Sequence, residues 1–331
     1  MGKRIAINGF GRIGRLTFRH IYNMPGIEVV GINDLTDPAT LAHLLKYDSA
    51  QGTFNKNIRV DGDYLRVDDE RIHISAIKSP AELWKGLEVD TVLECTGLFT
   101  SRDKASAHIR PDGAKRVIIS APAKGDNVPT IVLGINDDQI NTDETIFSNA
   151  SCTTNCLAPM VKVLIDHFGI KTGAMTTIHA YTADQNLQDA PHRDLRRARS
   201  AGINIVPTST GAASALKLVI PSIGDKLSAM SYRVPVITGS LVDLNVILEK
   251  EATAGEINAA FQHASENRMK GILQYCTDPV VSSDIVRNTH SCIFDSLLTE
   301  VTGSMVRIVG WYDNEAGYST RLAELAYRIT S

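Results

Sequence analysis

The chain has 331 residues, more than one hydrophobic core usually serves, so two domains are expected. Hydrophobic residues make up 43% of the sequence and charged residues 21%, an ordinary globular composition that argues against a disordered chain. The formal net charge of -3 provides no general positive field for nucleic acid or an anionic membrane surface, so an anionic ligand must be held by local groups.

The sequence begins with a strand-like pattern, MGKRIAINGF, without a signal or transit sequence, and no apolar run approaches the ~20 residues of a membrane helix. We therefore expect a cytoplasmic protein with no membrane partner. The five cysteines are odd in number and widely scattered, which argues against a disulfide framework and leaves room for a reactive thiol.

The first 150 residues alternate between short apolar strands and amphipathic helices, an order typical of a parallel sheet. Strands are expected at 4–10, 27–34, 90–97 and 115–120, and helices at 14–23, 38–47 and 101–109. The segment 57–77 alternates at period two around turn residues instead, which predicts an antiparallel insertion or edge.

The pattern changes near residue 150, where longer strand-like runs begin to alternate with helices. A helix is expected over 157–168, with Cys152 before its start, and further helices over 210–220, 255–267 and 320–329. Strands are expected at 174–181, 228–236, 241–249, 291–298 and 304–311. The sequence thus predicts an α/β domain over 1–150 and an α+β domain over 151–315 with a mainly antiparallel sheet.

The stretch IAINGFGRIG places Gly9, Gly11 and Gly14 between a strand and a helix, and Asp34 ends the next strand. This spacing is typical of a Rossmann-type domain: the glycines allow a tight turn, close approach of a pyrophosphate and close helix packing, and the acid binds a ribose. The alternative, glycines that only punctuate a turn, leaves the register of Asp34 unexplained. A carboxylate there favours NAD over NADP.

Cys152 lies in SNASCTTNC, among small polar residues at the expected start of a helix. A structural thiol is the commonest role of cysteine and suits Cys156, whereas no second Cys or His pair follows at the spacing of a zinc site, so no metal is expected. The free amides at a helix start stabilise a thiolate, lower the pKa of the thiol and could bind an oxyanion. Cys152 is therefore a candidate nucleophile.

His179, near the end of a predicted strand, could serve as the base that such a nucleophile needs, although a lone histidine is more often a packing or surface residue. Thr182, Arg197, Arg233 and the pair Thr210 and Gly211 are local donors that suggest a phosphorylated substrate. Each also has a simpler interpretation, as a solvated charge or a helix cap, and spacing alone does not bring them together.

The chain resembles the phosphorylating glyceraldehyde-3-phosphate dehydrogenases along its full length, through INGFGRIGR, INDL, ECTG, SNASCTTNCLAP, HAYTADQ, DLRRARS, PTSTGAA and WYDNEAGYS. The resemblance implies a glycolytic enzyme that oxidises glyceraldehyde 3-phosphate to 1,3-bisphosphoglycerate with NAD and inorganic phosphate. It also implies a homotetramer, a catalytic second domain and a C-terminal helix, 316–331, that packs on the NAD-binding domain. The loop around 180–205 would reach a neighbouring subunit's cofactor pocket.

The resemblance also implies roles for individual residues. Cys152 would form a thiohemiacetal and then a thioester, with His179 as base. The residues implied to contact the cofactor are Gly9, Gly11, Arg12, Ile13, Asp34, Lys78, Ser120 and Asn314. Thr182 and Arg233 would hold the substrate's phosphate, and the attacking phosphate would be bound by Ser151, Thr153, Thr210 and Gly211, with Arg197 nearby.

Two stretches depart from the family pattern. RVPVITGSLVD at 233–243 differs in the residues after RVP, which puts the packing of a subunit interface in doubt, and Ala190-Pro191 replaces the usual Leu-Pro of NAD-specific members, which leaves some use of NADP open. The alternatives are an erythrose-4-phosphate dehydrogenase, a nonphosphorylating aldehyde dehydrogenase and a nucleotide-binding interaction protein without turnover. The threonine of HAYTADQ and the STG of STGAA argue against the first, the full-length resemblance to the phosphorylating family against the second, and Cys152 with His179 against the third.

Overall fold

The computed structural model describes residues 2–125 and 127–330. The chain forms two compact units. The first contains Met1–Ile131, Gln139–Ala150 and Ser319–Ser331, and the second contains Val132–Asp138 and Ser151–Tyr318. Both units are built from a sheet with helices, in agreement with the fold class expected from the sequence.

The first unit contains an eight-stranded sheet. In chain order its elements are β1 (Lys3–Asn8), α1 (Arg12–Ile21), β2 (Ile27–Asn33), α2 (Pro38–Lys46), β3 (Ile58–Asp61), β4 (Tyr64–Val67), β5 (Glu70–Ser75), β6 (Val89–Glu94), α3 (Arg102–Ala105), β7 (Ala114–Ile119) and β8 (Ile146–Ser148). The strand order is β3-β4-β5-β2-β1-β6-β7-β8, parallel from β5 to β8. β3 and β4 pair antiparallel, which confirms the antiparallel edge.

The centre of this sheet is apolar on both faces, as a covered parallel sheet requires. In β1, Ile5, Ala6 and Ile7 are fully buried, and α1 buries Leu16 and Phe18. The helix expected over 101–109 is shorter in the structure: α3 is one turn and continues as a 3₁₀ turn. The short strand β8 was not predicted, because three residues carry too little pattern.

The second unit contains a seven-stranded sheet. Its elements are α4 (Cys152–Phe168), β9 (Ile170–Ala180), β10 (Val206–Thr208), α5 (Ala212–Val219), β11 (Leu227–Val234), β12 (Ser240–Leu248), α6 (Ala254–Glu266), β13 (Leu273–Cys276), β14 (Cys292–Thr302) and β15 (Met305–Tyr312); α7 (Ala316–Ile329) follows. The strand order is β10-β11-β9-β12-β15-β14-β13. The sheet is mainly antiparallel, as expected, but β11 pairs parallel with β9 and β13 with β14.

Helix α4 begins earlier than the apolar pattern indicated. Ser151 is its N-cap and accepts a hydrogen bond from the Thr154 amide at 3.1 Å, so Cys152 is the first helical residue and does not precede the helix. The signal was missed because the first turn, CTTN, is polar although Thr153, Thr154 and Asn155 are buried. The helix therefore places its free amide groups at Cys152.

Candidate active site

The glycine turn of the first unit has the geometry that each glycine was expected to allow. Gly9 has φ of +91°, and a Cβ there would lie 2.7 Å from the Thr96 amide nitrogen. A Cβ at Gly14 would lie 2.2 Å from the Gly9 carbonyl oxygen, whereas a Cβ at Gly11 would meet nothing within 4 Å. The open space at Gly11 and the amides that begin α1 leave room for a pyrophosphate.

A cleft of about 480 Å³ lies at the carboxyl ends of the strands in this unit. Its lining includes Gly9, Gly11, Asp34 and Lys78, but not Arg12, Ile13 or Ser120. The Asp34 carboxylate accepts hydrogen bonds from the amides of Phe10 at 2.7 Å and Thr36 at 2.9 Å, which holds it at the cleft. The open space at Gly11 and the fixed carboxylate of Asp34 are the features that a dinucleotide-binding cleft needs.

The three predicted residues of the first unit that lie outside this lining have other contacts. Arg12 forms an ion pair with Asp48 at 2.6 Å, Ile13 is half-buried in the first turn of α1, and the Ser120 hydroxyl donates to the Glu94 carbonyl at 3.0 Å. Lys78, by contrast, is exposed at the cleft.

A buried polar network, which the sequence did not reveal, holds part of this cleft. The Glu94 carboxylate, 1% exposed, accepts hydrogen bonds from Asn8 Nδ2 at 2.6 Å, from the Thr96 amide at 2.9 Å and from the Thr96 hydroxyl. His108 Nε2 lies 3.0 Å away, and its Nδ1 accepts from Trp84 Nε1, so Nε2 carries the proton that Glu94 accepts. Glu94 therefore joins β1, β6 and the loop after β6.

In the second unit, chain geometry brings Cys152 and His179 together. Helix α4 covers about 25 Å, and β9 then runs back along it for a comparable distance, so the end of β9 returns to the start of α4. Cys152 Sγ lies 3.5 Å from His179 Nε2. This pair has the separation of a nucleophile and its base.

The hydrogen bonds of His179 set its tautomer. Nδ1 lies 2.6 Å from the Ala180 carbonyl oxygen, which can only accept, so Nδ1 carries the proton and Nε2 presents a lone pair to Cys152. Burial lowers the pKa of His179 to about 3, with a further contribution from the Arg233 charge. The imidazole is therefore neutral at pH 7 and able to accept a proton.

Cys152 has opposing influences on its thiol. Burial raises the pKa of Cys152, while the Arg233 charge and hydrogen bonds with Thr153 act to lower it. Burial outweighs the helix amides, so the expected lowering of the pKa is wrong as a net effect. The thiol consequently keeps its proton until His179 takes it.

Arg233 reaches the same pair from the neighbouring strand. In the parallel register of β11 and β9, Arg233 lies opposite His179. Arg233 Nη1 lies 3.2 Å from His179 Nδ1 and donates to the Ala180 carbonyl at 3.1 Å and to the Thr182 hydroxyl at 2.9 Å. Its Nε is buried and has no partner among the described residues, so the guanidinium keeps an unused donor.

Arg197 joins this group through a residue that the sequence did not single out. The Asp184 carboxylate accepts hydrogen bonds from the Thr182 hydroxyl and from Arg197 Nη1. Arg197 Nε also donates to the Thr208 hydroxyl at 2.9 Å and lies 3.6 Å from Asp194. Thr182, Arg197 and Arg233 thus form one connected set.

The remaining predicted residues cap helices or are buried in the second unit. The Ser151 hydroxyl caps α4 by accepting a hydrogen bond from the Thr154 amide. The Thr153 hydroxyl lies 3.0 Å from that of Tyr312, a residue that the sequence did not single out. Thr210 accepts from the Ala212 amide at 3.2 Å, and a Cβ at Gly211, the N-cap of α5, would meet nothing within 4 Å. No direct bond joins this pair to Cys152.

Asn314 is 6% exposed, and its Oδ1 accepts hydrogen bonds from the Gly239 amide at 3.2 Å and the Ser240 hydroxyl at 3.0 Å. These bonds fix the orientation of the side-chain amide. Within residues 2–125 and 127–330, no group of three or more His, Cys, Asp or Glu side chains could hold a metal ion. Over the same residues, no helix is long and apolar enough to cross a membrane.

Comparison with known proteins agrees with this geometry. Residues 3–102 match the NAD binding domain of glyceraldehyde 3-phosphate dehydrogenase, and residues 151–314 match the C-terminal domain. The glyceraldehyde-3-phosphate dehydrogenases of Mycobacterium avium and Mycobacterium tuberculosis are 54% and 55% identical over 333 residues, 98% of each chain. Glyceraldehyde-3-phosphate dehydrogenase 1 of Streptomyces avermitilis is 52% identical over 99% of each chain. The chain therefore belongs to the glyceraldehyde 3-phosphate dehydrogenase family.

Proposed function

We propose that this chain is an NAD-dependent, phosphorylating glyceraldehyde-3-phosphate dehydrogenase of glycolysis and gluconeogenesis. It oxidises D-glyceraldehyde 3-phosphate, takes up inorganic phosphate and yields 1,3-bisphosphoglycerate. The observation that carries the proposal is the 3.5 Å contact between Cys152 Sγ and His179 Nε2 at the first turn of α4. In a chain of this family, that contact supports covalent catalysis on an aldehyde.

The first step is addition of the thiol to the aldehyde carbon. Sγ bonds to the carbon, its proton moves to His179 Nε2, and the carbonyl oxygen becomes an oxyanion near the free amides that begin α4. His179 returns this proton to the oxygen, which gives a neutral thiohemiacetal. A base that is neutral at pH 7 makes both transfers possible.

Oxidation and phosphate transfer follow on the same sulfur. His179 removes the hydroxyl proton of the thiohemiacetal as two electrons leave the carbon with its hydrogen, and a thioester remains on Cys152. NAD, when bound, supplies the acceptor for that hydride. An oxygen of inorganic phosphate then attacks the thioester carbon, the carbon–sulfur bond breaks, and Sγ recovers its proton from His179.

Cofactor binding is assigned to the glycine turn and to residues that family membership adds. The open position at Gly11 and the fixed carboxylate of Asp34 support dinucleotide binding in the first unit. The proposed contacts are Gly9, Gly11, Arg12, Ile13, Asp34, Lys78, Ser120 and Asn314. Asp34 supports a preference for NAD, because a carboxylate at a ribose repels a 2′-phosphate.

Two anion sites are proposed around Cys152. Thr182 and Arg233 hold the phosphate of the substrate, which the hydrogen bond between them supports. The attacking phosphate is bound by Ser151, Thr153, Thr210 and Gly211, and the position of these residues at the starts of α4 and α5 supports this assignment. Arg197 is nearby in the proposal and donates hydrogen bonds to Thr208 and Asp184. Both anions are held by local donors in a chain of negative net charge.

We also propose a cytoplasmic homotetramer, with an NAD-binding domain over 1–150 joined by the helix 316–331 and a catalytic domain over 151–315. The loop around 180–205 exposes large apolar side chains: Leu187 at 81%, Leu195 at 82% and Ile203 at 81%. Exposed apolar groups of this kind are typical of a surface that another chain covers. Light scattering on the purified protein would show a monomer if this proposal is wrong.

The activity is tested by reduction of NAD with glyceraldehyde 3-phosphate, with and without inorganic phosphate, and with NADP in parallel. Phosphate-dependent turnover that prefers NAD is expected. Turnover without phosphate would identify a nonphosphorylating enzyme, and turnover only with erythrose 4-phosphate would identify the related dehydrogenase. Cys152→Ser should bind NAD but lose activity; if it retained activity, the covalent mechanism would be wrong.

A further inference from the structure

One carboxylate connects the two arginines that the proposed function assigns to two different anions. Arg233 Nη1 donates to the Thr182 hydroxyl at 2.9 Å, the Thr182 hydroxyl donates to Asp184 Oδ1, and Arg197 Nη1 donates to Asp184 Oδ2. Asp184 therefore accepts a hydrogen bond from Arg197 directly and is linked to Arg233 through the Thr182 hydroxyl. Nothing in the proposed reaction requires an acid at this position.

The charge of Asp184 belongs to this arrangement. Burial by itself would raise the pKa of Asp184, but the Thr182 hydrogen bond and the charges of Arg233 and Arg197 outweigh it and lower the pKa. Asp184 is thus ionised at pH 7. Its side chain is 44% exposed, so a ligand or water can reach it.

An incoming phosphate needs the donors that Asp184 holds. A hydroxyl has a single proton, and that of Thr182 already points at Asp184, so Thr182 can donate to a phosphate oxygen only after it releases the carboxylate. The same holds for Arg197 Nη1. Arg197 remains tied to Thr208 and Asp194 without Asp184, so displacement of the carboxylate does not release the arginine.

We propose that Asp184 is a displaceable internal anion, which occupies the anion-binding donors of Thr182 and Arg197 in the empty site and weakens the binding of phosphate groups there. This inference rests on the proposed function and deepens it. The product carries two phosphate groups, and the two arginines would hold it more tightly without Asp184. Asp184 thereby lowers the affinity for the product and speeds its release, and it makes the affinities of the two anion sites depend on each other.

The test compares Asp184→Asn with Asp61→Asn. Asp61 is an exposed acid at the edge of the first unit's sheet that pairs with Arg66 at 2.7 Å, and it is not among the residues of the proposed sites, so it controls for loss of one negative charge. Binding of inorganic phosphate to the unliganded protein is measured by calorimetry. Steady-state kinetics are measured with glyceraldehyde 3-phosphate and with unphosphorylated D-glyceraldehyde.

Removal of a nearby like charge in a half-exposed site should tighten phosphate binding by ~5-fold or more in Asp184→Asn. The KM for glyceraldehyde 3-phosphate should fall with it, and kcat should fall because release is slower. The value of kcat/KM for D-glyceraldehyde, which lacks the phosphate, should stay within ~2-fold. Asp61→Asn should match the wild type in all three measurements.

Unchanged or weaker phosphate binding in Asp184→Asn would overturn the inference, as would an equal loss of activity on both aldehydes, which indicates a structural role. If Asp184→Asn does not fold, Asp184→Ser replaces it with the same expectations, and Asp184→Glu should restore the wild-type affinity in either case. The phosphate titration needs no turnover. A wild-type protein without dehydrogenase activity would therefore refute the proposed function separately.

Discussion

Gly11 and Gly14 lie in the same turn, but the structure assigns different costs to an added methyl group at each. A Cβ at Gly14 would lie 2.2 Å from the Gly9 carbonyl oxygen, more than 1 Å inside the ~3.5 Å at which heavy atoms attract. A backbone carbonyl cannot rotate away as a side chain can. Gly14→Ala should therefore destabilise the protein by about 3 kcal/mol, the upper part of the range for overpacking.

Gly11→Ala should leave stability nearly unchanged. Gly11 has φ of -72°, which alanine adopts without strain, and its Cβ would meet nothing within 4 Å. The smaller backbone entropy of the unfolded alanine chain favours folding, while alanine is a poorer N-cap for α1 than glycine, so the net change should stay within ~1 kcal/mol. The methyl group would instead fill the space proposed for the pyrophosphate and weaken NAD binding ~5- to 150-fold.

The assay is thermal unfolding without ligand, together with calorimetric titration of NAD. Gly14→Ala should lower the melting temperature by ~6–12 °C, given ~2–4 °C per kcal/mol for a domain of this size. Gly11→Ala should melt close to the wild type and bind NAD poorly. Wild-type NAD binding by Gly11→Ala, or a wild-type melting temperature for Gly14→Ala, would contradict these costs.

Two further predictions concern buried titratable groups. Because the pKa of His179 is lowered from 6.5 to about 3, the unfolded chain binds a proton first as pH falls, so the wild type should lose ~1.4 kcal/mol of stability per pH unit from this group between pH 6.5 and 3. His179→Asn should lose ~2 kcal/mol less than the wild type between pH 7 and 5, measured by urea unfolding. In Glu94→Gln, the new NH2 group must face a hydrogen-bond donor of Asn8, Thr96 or His108, so one hydrogen bond of the network is lost. The KM for NAD should therefore rise ~5-fold or more, while kcat at saturating NAD should stay nearly unchanged.

A specific result would contradict each of these two predictions. Parallel losses of stability with pH in the wild type and His179→Asn would show that His179 binds a proton as readily in the folded protein as in the unfolded chain. An unchanged KM for NAD in Glu94→Gln would mean that the buried network does not position the cleft. The surface change Glu28→Gln, at an exposed ion pair with Arg4, is the matched control and should leave the KM for NAD unchanged.

Local patterns in the sequence were sufficient for the architecture. The central strands of the first unit are continuous apolar runs, whereas apolar and polar residues alternate at the edge formed by β3 and β4. These patterns were enough to predict parallel pairing at the centre and antiparallel pairing at the edge. The parallel pairing of β11 with β9 was not predicted, because β10 and α5 separate these strands in the chain. That of β13 with β14 was not predicted because β13 has only four residues and was not predicted as a strand. Strand order depends on such contacts, which leave no local pattern.

The sequence by itself determined the glycine turn and the acid at Asp34, because each depends on backbone geometry within a few residues. The tertiary structure alone decided the partners: His179 beside Cys152, the Asp184 carboxylate between Thr182 and Arg197, and Tyr312 against Thr153. Asp184 and Tyr312 lie within stretches that the sequence singled out, yet spacing gives no direction for a side chain. Burial decided the protonation of His179, since desolvation exists only once the chain is folded.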